Sequence, residues 1–100
     1  MAHRIEFTRQ ASKHFALLDA RRRATLRDTL LRQLVHEPTV ETRNRKRLRP
    51  TALATWRLRA AELRVYYDVV DDVPPVVVIK AIGIKVRDRV VIGGEEIDLS

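Results

Sequence analysis

Between Trp56 and Val69 the chain reads Trp-Arg-Leu-Arg-Ala-Ala-Glu-Leu-Arg-Val-Tyr-Tyr-Asp-Val. Large apolar residues alternate with polar ones on both sides of Ala61-Glu62. Only an extended chain sorts such a pattern onto two faces, because successive side chains of a strand point to opposite sides. The period predicts two antiparallel strands joined by a tight turn. Arg57, Arg59, Arg64, Tyr66 and Asp68 fall on one side, and Trp56, Leu58, Val65, Tyr67 and Val69 on the other. The apolar set needs a layer packed over it. The other is a row of guanidiniums without a carboxylate for each, and guanidinium matches phosphate through a bidentate fork. That points to a polyanion, and to RNA in particular.

The flanking sequence supplies the covering layer. Arg4 to Thr8 reads as a short strand. Thr8 is placed to cap a helix running to about Leu18, with Ala11, Phe15 and Leu18 on one face. After a break at Asp19-Ala20, a second helix is expected from about Arg21 to His36. Its apolar stripe is Ala24, Leu26, Leu30, Leu31, Leu34 and Val35, and Pro38 stops it. Glu37 to Thr55 reads as a long connection with five cations in seven residues, Arg43 to Arg49. Asp71-Asp72 marks a turn. Val76 to Ile82 is a nearly continuous apolar run, the pattern of a strand covered on both faces. Gly83 is read as a change of direction, and Val90-Val91-Ile92 as a last short strand before an acidic tail. The expected fold is therefore α+β. An N-terminal strand and an antiparallel two-helix hairpin pack on one face of a mainly antiparallel sheet of about four strands.

One hundred residues make one domain, 1–100. Cysteine is absent, which excludes disulfide frameworks and thiolate zinc sites. His3, His14 and His36 lack metal-ligand spacing, so no metal is expected. Nor is a cofactor, since there is no Gly-rich phosphate loop and no nucleophile elbow. The acid pairs Asp71-Asp72 and Glu95-Glu96 lie in a turn and a tail, whereas a two-metal nuclease needs carboxylates converging on the sheet. There is no apolar run of membrane length and no signal peptide, so a cytoplasmic protein with no membrane partner is expected. Lys plus Arg is 20 against 13 for Asp plus Glu, and 16 of the 20 are Arg. Residues 1–64 carry 16 basic and 6 acidic side chains, and residues 65–100 carry 4 and 7. That asymmetry orients a field that steers polyanions to one face.

The order of elements and several runs resemble the RelE/ParE superfamily of toxins from bacterial toxin–antitoxin pairs. The runs are Phe15-Ala16-Leu17-Leu18-Asp19, Arg47-Leu48-Arg49-Pro50, Trp56-Arg57-Leu58-Arg59, Leu63 to Val69, and Ala81-Ile82-Gly83-Ile84-Lys85. Together they cover Ile5 to about Ile92. The resemblance implies a RelE-like endoribonuclease that cuts mRNA on the ribosome and so inhibits translation, or, in the ParE branch, an inhibitor of DNA gyrase. It further implies an antitoxin partner, acidic in character. Arg57 and Arg59 match the family's paired basic positions, Arg64 the arginine opening the next strand, and Lys85 the basic residue after the third meander strand. The family's C-terminal tyrosine is absent; Val91 stands about where it would be.

RNA cleavage by the 2′-OH requires deprotonation of that hydroxyl, stabilisation of the pentavalent phosphate and protonation of the 5′-oxygen. Arginine can serve only the second need. Arg57, Arg59 and Arg64 are thus assigned as a phosphate clamp, Lys85 as a proton donor to the leaving oxygen, and Tyr66, on the clamp side, and His36, at a helix end, as the candidates for the base. Arg43, Arg45, Lys46, Arg47 and Arg49 are assigned to RNA binding. The plainer alternatives are a solvated sheet face for Arg57 and Arg59, an ion pair from Arg64 to Glu62 or Asp68, and a solvated charge run at 43–49. A non-catalytic relative that binds RNA or an antitoxin stays open beside the nuclease and gyrase readings.

Overall fold

The computed structural model describes residues 2–49 and 53–97; Pro50 and the last of the acidic tail, 98–100, lie outside them. The order is β1 (Arg4–Phe7), α1 (Arg9–Ala16), α2 (Ala20–Gln33), β2 (Arg45–Arg47), β3 (Trp56–Ala60), β4 (Leu63–Val70), β5 (Val76–Val86), β6 (Arg89–Ile92) and β7 (Glu95–Ile97). The chain is α+β. Among the described residues the sheet has seven strands, not about four, in the order β2-β3-β4-β5-β6-β7, with β1 pairing β5. Every pairing along that path is antiparallel, and β1 runs parallel to β5.

The alternation of the central pair decides which face is dry. Trp56, Leu58, Ala60, Leu63, Val65 and Tyr67 share one core with Val77, Ile79 and Ile82 of β5. Ala11 and Leu18 from the α1 region and Leu26, Leu30 and Leu34 from the α2 region close over them. Each large aliphatic side chain so buried contributes roughly 1.5–3 kcal/mol. Trp56 and Tyr67 stack at 6.3 Å between ring centroids, and the Tyr67 hydroxyl donates to the Pro38 carbonyl. Burial raises the Tyr67 pKa, and the nearby Arg45 charge only partly offsets it. Both helices start on a side-chain cap, Thr8 as expected and Asp19 in place of the expected break. Thr8 Oγ1 accepts from Ala11 N at 3.1 Å, and Asp19 Oδ1 from Arg22 N at 2.8 Å.

Five expectations need correction. The helices do not form a hairpin packed on itself; α1 lies against β5 and β1, and α2 against β3. Each apolar stripe is satisfied by the sheet, and the α2 stripe is narrower than expected, since Ala24 and Leu31 are exposed. The 37–55 connection is not all loop, because β2 pairs there with β3. Gly83 makes no turn but lies within β5. A Cβ on it would stand 2.7 Å from Val90 Cγ1 and 2.9 Å from Ile92 Cγ1, so glycine lets the β6 side chains fold across the sheet. Finally, the tail does not simply trail away, because Glu95–Ile97 turns back on Gly93-Gly94 and pairs with β6.

One polar residue closes the fold. β1 covers Val76–Ile79 of β5 and β6 covers Gly83–Val86, on the same edge. In the gap between them, the Ile82 N–H donates to His14 Nδ1 at 3.2 Å. His14 is 6% exposed. The bond requires the neutral tautomer protonated at Nε2, and burial holds the His14 pKa below its ordinary 6.5. With the folded pKa depressed, His14 contributes stability that is complete above about pH 6.5 and is lost as pH falls through the folded pKa. The melting temperature should therefore fall between pH 7.5 and 5 more steeply in the native chain than in His14→Asn, whose amide oxygen can accept the same bond without titrating. Parallel slopes for the two would rule the role out.

Candidate nucleic-acid interface

The helix-free face of the sheet carries the cations. Across the strands, Arg59 pairs with Arg64, Arg64 with Gly83, and Gly83 with Ile92. The neighbouring row is Lys46, Arg57, Tyr66 and Ala81. Lys85 shares the parity of Gly83 and is exposed beyond it. The structure thus brings Arg57, Arg59, Arg64, Tyr66 and Lys85 to one side of the sheet, with Arg64 and Tyr66 buried there at 7% and 1% exposure. Its floor is a second, smaller apolar cluster of Ala54, Tyr66, Ala81 and Ile92, with Leu48 and Val90 against it. Val91 pairs with Ile84, which packs on the helix-side core, so Val91 has the opposite parity and does not belong to this surface.

The arginines are close enough to disturb one another. Arg64 is 7% exposed and donates from Nη1 to the Ala61 and Leu63 carbonyls, each at 2.8 Å. It pairs with neither Glu62 nor Asp68; Arg22 holds Glu62 at 3.0 Å and Lys80 holds Asp68 at 3.3 Å. Burial lowers the Arg64 pKa, and the nearby Arg57 and Arg59 charges lower it further. Arg57 is half-buried, and its Nε is buried without a hydrogen-bond partner among the described residues. An unsatisfied buried donor costs about 1–3 kcal/mol, and three like charges so placed cost more. An oxyanion on this face would relieve both. Burial raises the Tyr66 pKa, and the attraction of Arg57 and Arg64 only partly offsets it.

The loop cations separate into distinct settings. Arg45 is buried, and its Nη1 donates to the Gln33 carbonyl at 2.5 Å and the Glu37 carbonyl at 2.6 Å, so it braces the end of α2 and does not face outwards with its neighbours. Lys46 is exposed opposite Arg57. Arg47 and Arg49 line a cleft with Lys80 and Asp68. Arg43 lines a larger cleft, of ≈ 600 Å³, between α2 and the β3–β4 turn. Arg59 and Arg64 line that cleft as well, so it continues the cationic face around the end of the sheet. Its remaining polar walls include Gln33 and Asn44, which sequence reasoning missed because neither belongs to any period or charge run. No group of His, Asp and Glu suited to a metal ion occurs among the described residues. No helix there is long and apolar enough to cross a membrane.

No protein-family model matches the chain, and searches of curated proteins and of solved structures return no match.

Proposed function

We propose that the chain is the toxin of a type II toxin–antitoxin pair, a RelE-like mRNA interferase acting in the ribosome. The observation that carries this is the row of Arg57, Arg59 and Arg64, which among the described residues has no carboxylate partner and leaves one buried guanidinium nitrogen unpaired. Such a row is preorganised for a phosphate whose negative charge grows in the transition state. Arg57 and Arg59 would hold the non-bridging oxygens, and Arg64, fixed by two carbonyls, would set their position. The 2′-oxygen then attacks phosphorus as its proton passes to solvent water, the bond to the 5′-oxygen breaks to leave a 2′,3′-cyclic phosphate, and Lys85 gives the departing oxygen its proton. Tyr66 donates a hydrogen bond to the phosphate or ribose. Positioning of an in-line attack supplies much of the acceleration. Arg43, Lys46, Arg47 and Arg49 would contact RNA phosphates around the site, and an acidic antitoxin would cover the same surface.

The parity of Val91 favours a second reading. A ParE-like inhibitor of gyrase, or a relative that binds RNA or its antitoxin without cutting, has no need of a tyrosine there. Induction without antitoxin in a bacterium, with mapping of mRNA 5′ ends, separates these. We expect growth arrest with new ends in frame inside translated codons. Arrest with intact mRNA and altered plasmid supercoiling would support the gyrase reading, and undisturbed growth the non-cutting one.

A further inference from the structure

We infer that the cleft between α2 and the β3–β4 turn is a base-reading subsite, in which Gln33 and Asn44 recognise the edge of the nucleotide next to the clamped phosphate. This rests on the RNA reading above. The space is of the right kind. Its ≈ 600 Å³ lies in the range of ligand sites, and no carboxylate lines it. It is joined to the clamp, since Arg59 and Arg64 border both. Ala60 and Ala61 give it small walls on one side, against which a flat ring can lie.

Phosphate contacts hold a nucleic acid in place but carry no sequence information; that comes from contacts to base edges. Guanidiniums engaged on a phosphate do not choose between bases. The two amides can. An amide presents a donor and an acceptor side by side, matching the paired groups on a base edge. Both residues are fixed at the backbone. The Gln33 carbonyl is held by Arg45 at 2.5 Å, and the Asn44 carbonyl accepts from Arg59 N at 2.7 Å. Their side-chain amides make no hydrogen bond among the described residues. Unengaged amides on a fixed backbone, beside the guanidiniums of Arg43 and Arg59, suit single-stranded RNA, whose bases are splayed out, read on their edges and stacked on guanidinium planes.

The test is binding of the purified full chain to four labelled five-nucleotide RNAs, of A, C, G or U alone, across a salt series. The native chain should prefer one base by about tenfold or more. Gln33→Ala with Asn44→Ala should bring the four affinities within about twofold of one another while the dependence on salt stays the same, since phosphate contacts set that slope. Circular dichroism would confirm that the double variant is folded. Equal binding of all four RNAs by the native chain, or a preference that survives the double variant, overturns the subsite and leaves the RNA reading standing. Failure of the native chain to bind any of the four overturns both.

Discussion

Arg57→Glu combined with Arg59→Glu should end growth arrest and weaken RNA binding by at least about a hundredfold, while the protein melts at an equal or higher temperature. The two halves of this expectation come from the same observation. Neither guanidinium forms an ion pair among the described residues, and Arg57 Nε is buried without a partner, so their removal breaks no stabilising contact. Arg64, whose charge both neighbours disfavour, gains nearby carboxylates in their place. Binding changes the other way. Two charge-assisted phosphate contacts, each about 1.5–3 kcal/mol, are lost, and two repulsive charges replace them. The slope of log affinity against log salt should become shallower by about two, near 0.9 for each phosphate contact removed. Arg64 is the wrong residue for this experiment, since its bonds to Ala61 and Leu63 brace the turn and its loss would confuse folding with function. A double variant that stays folded, toxic and able to bind RNA would remove the clamp from consideration.

What was legible in the sequence follows the range of the interactions involved. The two-residue period of Trp56–Val69 is local, and it places Arg57, Arg59, Arg64 and Tyr66 on one face and Trp56, Leu58, Val65 and Tyr67 on the other, as the pairing of β3 with β4 shows. Thr8 capping α1 is local too. β2 was not legible, because Arg45-Lys46-Arg47 has no apolar alternation and pairs only where β3 offers an open edge. β7 was hidden in the same way behind its two glutamates. Gly83 is ambiguous in sequence because a turn and a close approach both select glycine, and the side chains that approach it, Val90 and Ile92, belong to another strand. The short link between α1 and α2 implies mutual packing, yet each helix finds the sheet instead. Within the candidate site the charge pattern exposed the cations but had nothing to say about Gln33 and Asn44, which meet at one cleft only because Arg45 ties the loop to α2.

That tie yields the second large effect. Arg45→Ala should lower stability by about 2–4 kcal/mol, whereas alanine at Arg43, Lys46, Arg47 or Arg49 should leave it within about 0.5 kcal/mol. In sequence these five cations look interchangeable. In the fold, Arg45 alone among them is buried, and its guanidinium satisfies the Gln33 and Glu37 carbonyls. Those carbonyls lie at and just beyond the end of α2, where helix carbonyls lack partners and the dipole favours a cation. Truncation leaves them without their donor and opens a void under the loop. The functional consequences should divide in the reverse sense. The four exposed cations should each weaken RNA binding modestly and reduce its dependence on salt, because each would contribute one phosphate contact. Arg45→Ala should act through the Gln33–Asn44 cleft, eroding the preference among bases more than the salt slope. Urea denaturation of the five single variants beside RNA titrations at two salt concentrations would show the division. Equal losses of stability across the five would mean that Arg45 does not brace α2.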